Sequence, residues 1–244
     1  MSEVEILIEK KIPKGAVIIE GFQGVGLVGT LAAQYMSDKL EAKQIGYINS
    51  DTLSPMALLV NGEIKHPMRI YHFKKKEQDF LIFDSELPIP HKLANAIAKK
   101  IAEFAKRIQV KEIVSLEGIA TPQPPEISKV FYVSNMPARM KKISKYANEL
   151  QNGIIIGTSA ALLIQAKVKK LPTYALMAES HSQFPDGVAA SELVKTLSKI
   201  YGLNIDVSAL VKESKAFEDR VMQVVEKVKE VKESEGVPKK TYIG

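Results

Sequence analysis

The sequence predicts an α/β protein in which helices cover both faces of a mixed sheet. Two patterns point there: early strands that meet through tight turns, and later strands that alternate with helical stretches. A third observation is size, since 244 residues with 45% hydrophobic composition can bury a sizeable core in one undivided domain.

Val4–Glu9 and Ala16–Glu20 read as short strands, divided by the turn signal Ile12-Pro13-Lys14-Gly15. The glycine-rich turn Gly21-Phe22-Gln23-Gly24-Val25-Gly26 then opens an apolar helix from about Leu27 to Leu40, and Gln44–Asn49 is the next strand. Met56–Val60 and Glu63–Ile64 flank Asn61-Gly62, a dipeptide that suits the positive φ angles of a two-residue hairpin. Arg69–Phe73 and Asp79–Asp84 form a second antiparallel pair with Lys74-Lys75-Lys76 near its tip.

His91–Arg107 is an amphipathic helix, with Leu93, Ile97, Ile101, Phe104 and Ile108 at helical spacing. Glu112–Ile119 is a buried strand, followed by a loop at Pro122, Pro124 and Pro125. Lys129–Val133 is a strand, and Pro137–Leu150 is expected to be mostly helical, capped by Asn135 or Ser134. Gly153–Gly157 leads through Thr158-Ser159 into a helix over Ala160–Val168. Thr173–Ala178 is the last core strand. Asp186 caps a helix reaching Tyr201, which Gly202 stops.

From Val207 the spacing changes. Val207, Leu210, Phe217, Val221, Val224, Val228 and Val231 follow a narrow three-four stripe, which suits either a short coiled coil or a helix docked on its own domain. The expected organisation is an α/β domain over 1–204, a helical segment over 205–233 and a flexible tail over 234–244.

Composition excludes several functions. With no cysteine there are no disulfides, thiol nucleophiles or cysteine-ligated metals. The N-terminal MSEVEILIEKKIP has the form of neither a signal nor a transit peptide, and no apolar run approaches membrane-spanning length, so the expected location is the cytoplasm. The formal charge of +6 comes from 34 basic residues interleaved with 28 acidic ones. Only Arg69, Arg107, Arg139 and Arg220 are arginines, so the excess is a solvated lysine surface and not a nucleic-acid footprint.

One motif suggests chemistry. Gly24-Val25-Gly26-Leu27-Val28-Gly29 matches G-x-G-x-x-G between a strand and a helix, where glycines let a pyrophosphate approach a helix N-terminus. Asp51 stands where a ribose-binding acid would be sought. Yet Asp51 leads into a hairpin where a crossover helix is needed, and Val4–Glu9 precedes the strand that should come first. The structural reading is a tight turn whose small residues let the helix pack close to the sheet. The enzymatic alternative is a nucleotide- or nucleoside-binding protein using residues 24–29 with Glu179 and His181, Glu117 being a second strand-end carboxylate. His66, His72, His91 and His181 have no metal-ligand spacing, and no G-x-S-x-G elbow occurs.

An ordered set of segments resembles the proteasome assembly chaperone family, in its second-subunit type and archaeal homologues. Its members are Ile19-Glu20-Gly21-Phe22-Gln23-Gly24-Val25-Gly26-Leu27-Val28-Gly29-Thr30-Leu31-Ala32-Ala33, then Ser50 to Pro55, then Gly62 to Pro67. Gly157-Thr158-Ser159-Ala160-Ala161-Leu162-Leu163 and Ala178-Glu179 with Asp186 to Ala190 complete it. The resemblance implies a phosphorylase/hydrolase-like three-layer α/β sandwich without catalysis or cofactor, self-assembly into a homo-oligomer, and binding to α subunits of the proteasome core particle. Some members end in a hydrophobic residue, a tyrosine and one last residue, which insert between α subunits. Here Thr241 precedes Tyr242-Ile243-Gly244, so the tail is expected either to dock in a shifted register or to serve a related paralogue. The tether, aromatic anchor and free carboxylate remain.

Overall fold

The computed structural model describes residues 4–53, 55–121, 127–180 and 185–212, together with 223, 226 and 227. Strands β1 (Val4–Ile8) and β2 (Val17–Gly21) come first, and a 3-10 turn over Val25–Leu27 leads into helix α1 (Val28–Lys39). Strand β3 (Lys43–Ser50) follows. The hairpin β4 (Leu58–Val60) and β5 (Glu63–Lys65) turns through Asn61 and Gly62 at φ 52° and 79°, the positive values expected of that dipeptide. Next come β6 (Met68–Lys75), β7 (Gln78–Ser85), α2 (His91–Arg107) and β8 (Glu112–Ala120). The chain continues through β9 (Val130–Ser134), α3 (Pro137–Ile143), β10 (Asn148–Glu149), α4 (Thr158–Val168), β11 (Thr173–Ser180) and α5 (Gly187–Tyr201).

Among the described residues nine strands form one sheet in the order β1-β3-β6-β7-β2-β8-β11-β9-β10. Its centre, β7-β2-β8-β11, is parallel, while β1-β3-β6-β7 is antiparallel and β9 runs against β11. The central strands are apolar on both faces, as parallel strands covered by helices must be. Alternation along β2 sends Val17 and Ile19 to a core with α1 and α5, and Ile18 to a core with α2 and α4. The result is the expected mixed α/β fold, in three layers.

Asp186 caps α5 by accepting a 2.9 Å bond from the Ala189 amide, and Gly202 ends that helix in the left-handed region at φ 68°. The expected helix over Pro137–Leu150 is shorter, because α3 stops at Ile143 and Asn148–Glu149 pairs with β9. Its cap also differs. Met136 is the cap residue, Ser134 Oγ accepts from the Met136 amide at 3.0 Å, and Asn135 bonds Leu171 O and the Thr173 amide instead. Pro137 at the first helical position supplies the start that a capping side chain would otherwise fix.

Val207 and Leu210 are buried against the α1–α5 core, and Tyr35 donates a 2.7 Å bond to Asp206 O. The striped segment therefore starts docked. Its apolar positions from Phe217 to Val231, the proline loop at 122, 124 and 125, and the tail residues Tyr242, Ile243 and Gly244 lie outside the described residues. No helix among the described residues is long and apolar enough to cross a membrane.

Candidate functional site

Parallel strands end on one side of a sheet, and here each of the four carries an acid near its end: Glu20, Asp84, Glu117 and Glu179. Asp84 on β7 is tied to Arg69 on the neighbouring β6 at 3.5 Å, and Arg69 also bonds Glu86. Glu179 leans the other way and accepts a 3.1 Å bond from the Lys129 amide. Glu20 and Glu117 turn toward the start of α4, on adjacent strands.

Glu20 is fully buried. It accepts from the Phe22 amide at 3.1 Å, from Ser115 Oγ at 2.5 Å and from Ser159 Oγ at 3.4 Å. Burial pushes its carboxyl up to about 7 against those donors, with the nearby Glu117 adding to the rise. Glu117 Oε1 accepts from the Val25 amide at 3.2 Å and the Gly118 amide at 3.1 Å. Burial likewise pushes Glu117 up to about 7, and the backbone amides and Ser159 only partly oppose it.

The glycines of the turn make this arrangement possible. A Cβ on Gly24 would overlap the Glu117 carboxylate, and one on Gly118 would overlap Val25 O. One on Gly29 would overlap Leu116 O, so the bare backbone lets α1 lie directly against β8. Gly26, at φ 60°, and Leu27, at φ 53°, bend the chain from the 3-10 turn into α1. Gln23 Nε2 pins the turn to Glu86 O at 2.9 Å. These contacts bear out close packing as the reason for the small residues.

They also change what the turn can bind. The Val25 amide, which a dinucleotide fold would offer to a pyrophosphate, already serves a carboxylate of the same chain. Asp51 is exposed beyond β3, and β6 and β7 separate β3 from β2. The ribose-binding acid of a nucleotide fold is thus not brought to the turn. His181 lies outside the described residues. His72 pairs with Asp79 at 2.8 Å, His66 stacks on Tyr47, and no metal-holding cluster occurs among the described residues.

Sequence reasoning singled out Glu117 but not its neighbour Glu20. The available signal was an acid inside the otherwise apolar strand Val-Ile-Ile-Glu-Gly, in register with Ser115. Beside the pair opens a cleft of about 610 Å³ walled by the glycine turn, the end of β8 and the segment before α4. That segment is unusually bare: Ile154 is 90% and Ile156 72% exposed, and Ile164 and Val168 on α4 are also exposed.

Comparison with known proteins places this geometry among relatives. The model of the PAC2 family matches residues 18–225. The protein MJ0106 of Methanocaldococcus jannaschii is 29% identical over 210 residues, covering 86% of this chain and 85% of that protein. The crystal structure of Pyrococcus furiosus PbaA, an archaeal homolog of proteasome-assembly chaperone, superposes with a TM-score of 0.85 at 30% identity. That match covers 94% of this chain and all of the solved PbaA chain. Pyrococcus furiosus PbaB, an archaeal proteasome activator, shares the fold at a TM-score of 0.78 and 23% identity, over 92% of this chain and 99% of its own.

Proposed function

We propose a function from one premise: this chain belongs to the PAC2 family. It acts in the cytoplasm as an ATP-independent chaperone or adaptor for the proteasome core particle, binding α subunits or a related paralogue and catalysing no reaction. The observation that carries this reading is the likeness to PbaA over essentially both whole chains.

The physical features agree with a binding role. The glycine turn, the strongest enzymatic motif, is filled by the chain's own Glu117, whereas the bare isoleucines before and along α4 offer surface to another protein. In the proposed organisation, residues 1–204 form the body, 205–233 a helical arm and 234–244 a tail ending in Tyr242, Ile243 and Gly244. Tyrosine gives the tail an aromatic anchor with a polar tip, and the terminal carboxylate gives it a charge to pair. One such peptide binds weakly. Homo-oligomerisation multiplies it through effective concentration.

Removing residues 241–244 is expected to weaken binding to purified proteasome α subunits by about tenfold or more, measured by calorimetry or surface plasmon resonance. An unchanged affinity removes the tail from the proposal, and no binding by the full chain removes the proteasome reading itself.

A further inference from the structure

Binding through a tail leaves the cleft beside the glycine turn without a role. Its position is informative. β2 leads by α1 to β3 on one side of the sheet, whereas β8, its parallel neighbour, leads to β9 on the other. Where connections diverge in this way, a crevice opens outside the carboxyl ends of the two strands, and open α/β sheets take their ligands there. The cleft of about 610 Å³ lies at that point.

Ile119, Leu150, Ile155 and Met177 give the cleft apolar walls, Gln23, His91 and Asn152 add polar side chains, and no lysine or arginine is found among the described residues lining it. Glu117 is the only acid among the described residues lining it, 7% exposed, with Oε1 fixed by two backbone amides. Glu20 lies behind it, bonded to hydroxyls and an amide and, among the described residues, to no cation.

We propose that this cleft binds an alkylammonium group, a primary amine on an apolar chain, with the amine against the Glu117 carboxylate and the chain along Leu150, Ile119 and Met177. A buried carboxylate without a counter-ion is poorly solvated, and an ammonium brought to it restores a partner. The methylene stem lies on apolar wall as lysine stems do elsewhere. A phosphate or carboxylate ligand meets the opposite conditions, because Glu117 repels it and the Val25 amide is taken. The same chemistry comes from two sources, a free alkylamine or a lysine side chain of another protein.

Calorimetric titration of the full chain at pH 8 with hexylamine, a capped Leu-Lys-Leu peptide, hexanoate and ATP tests this directly. The expected result is that hexylamine or the peptide binds and the two anions do not. Tighter binding of the peptide assigns the site to a protein lysine, and tighter binding of hexylamine assigns it to a free amine. Glu117→Gln is expected to weaken the amine at least about tenfold, as removal of a charged partner does. Ile156→Lys, at an exposed wall position, is expected to keep the fold and to weaken the amine similarly by repulsion. Failure of both amines to bind, equal binding of hexanoate or ATP, or amine affinity unchanged in both variants overturns the proposal.

Discussion

Two sets of buried acids lie at the same end of the sheet and are stabilised in different ways. Asp84 and Glu86, at the end of β7, share the guanidinium of Arg69, itself buried. Glu20 and Glu117, one and two strands away, rely among the described residues on serine hydroxyls and backbone amides. At the opposite end Glu112 repeats the first solution with Arg139. Two of the chain's four arginines, Arg69 and Arg139, therefore serve buried carboxylates. The contrast teaches that a buried carboxylate with its own cation is part of the framework. One without a cation is pushed toward protonation by its burial.

Removing the cation should erase the contrast at its greatest cost. Arg69→Met leaves Asp84 and Glu86 buried without their guanidinium, and breaking a buried pair this way costs about 3–5 kcal/mol, read from urea denaturation. A loss under about 1 kcal/mol would mean the cluster is better hydrated than its burial indicates.

Next in size is a pH effect confined to the cation-free pair. Glu20 and Glu117 titrate at about 7 in the folded chain, above the ordinary 4.5, so between those values the native state holds more protons than the unfolded one. Stability is full below the lower value and is lost as pH rises through the upper one, by on the order of 3 kcal/mol for one such carboxyl. Thermal melts from pH 4.5 to 8 should show this decline, and Glu117→Gln should reduce it to the share of Glu20. A wild-type melting temperature that rises over the window contradicts the assignment.

The smallest effect sharpens the comparison at the level of single atoms. Gly24→Ala forces a methyl group into the Glu117 carboxylate, an overpacking worth about 1–3 kcal/mol, and a second change, Glu117→Ala, should recover most of it. Gly29→Ala meets the Leu116 carbonyl oxygen, a backbone atom that cannot be trimmed, so Glu117→Ala should recover none of that loss. Equal recovery in the two double variants would show that the turn relaxes as a whole.

Much of this framework was legible in the sequence. The spacing of Leu93, Ile97, Ile101 and Phe104 marked α2 to its observed bounds, and Asp186 and Gly202 marked both ends of α5, because caps and periodicity are local properties. The two-residue β10 was not legible, since Asn148-Glu149 is too short to carry a period and owes its pairing to β9. For the same reason helix was expected to continue past Ile143. Of the site, the close-packed turn could be read from its glycines, but the meeting of Glu20 with Glu117 could not. It depends on β8 lying beside β2, a neighbourhood made by the crossover through α2. The tail remained a matter of resemblance, and Tyr242, Ile243 and Gly244 lie outside the described residues.

The overlap between position 24 and the carboxylate of position 117 also constrains how the lineage can change. While the acid is present, almost any substitution of the glycine is harmful, so the first step of a viable path is loss of the acid. Once a side chain fills the space, return of the acid meets the same overlap. Substitutions at these two places are thus ordered and hard to reverse, and descendants on either side of that step would inherit different chemistry in the cleft.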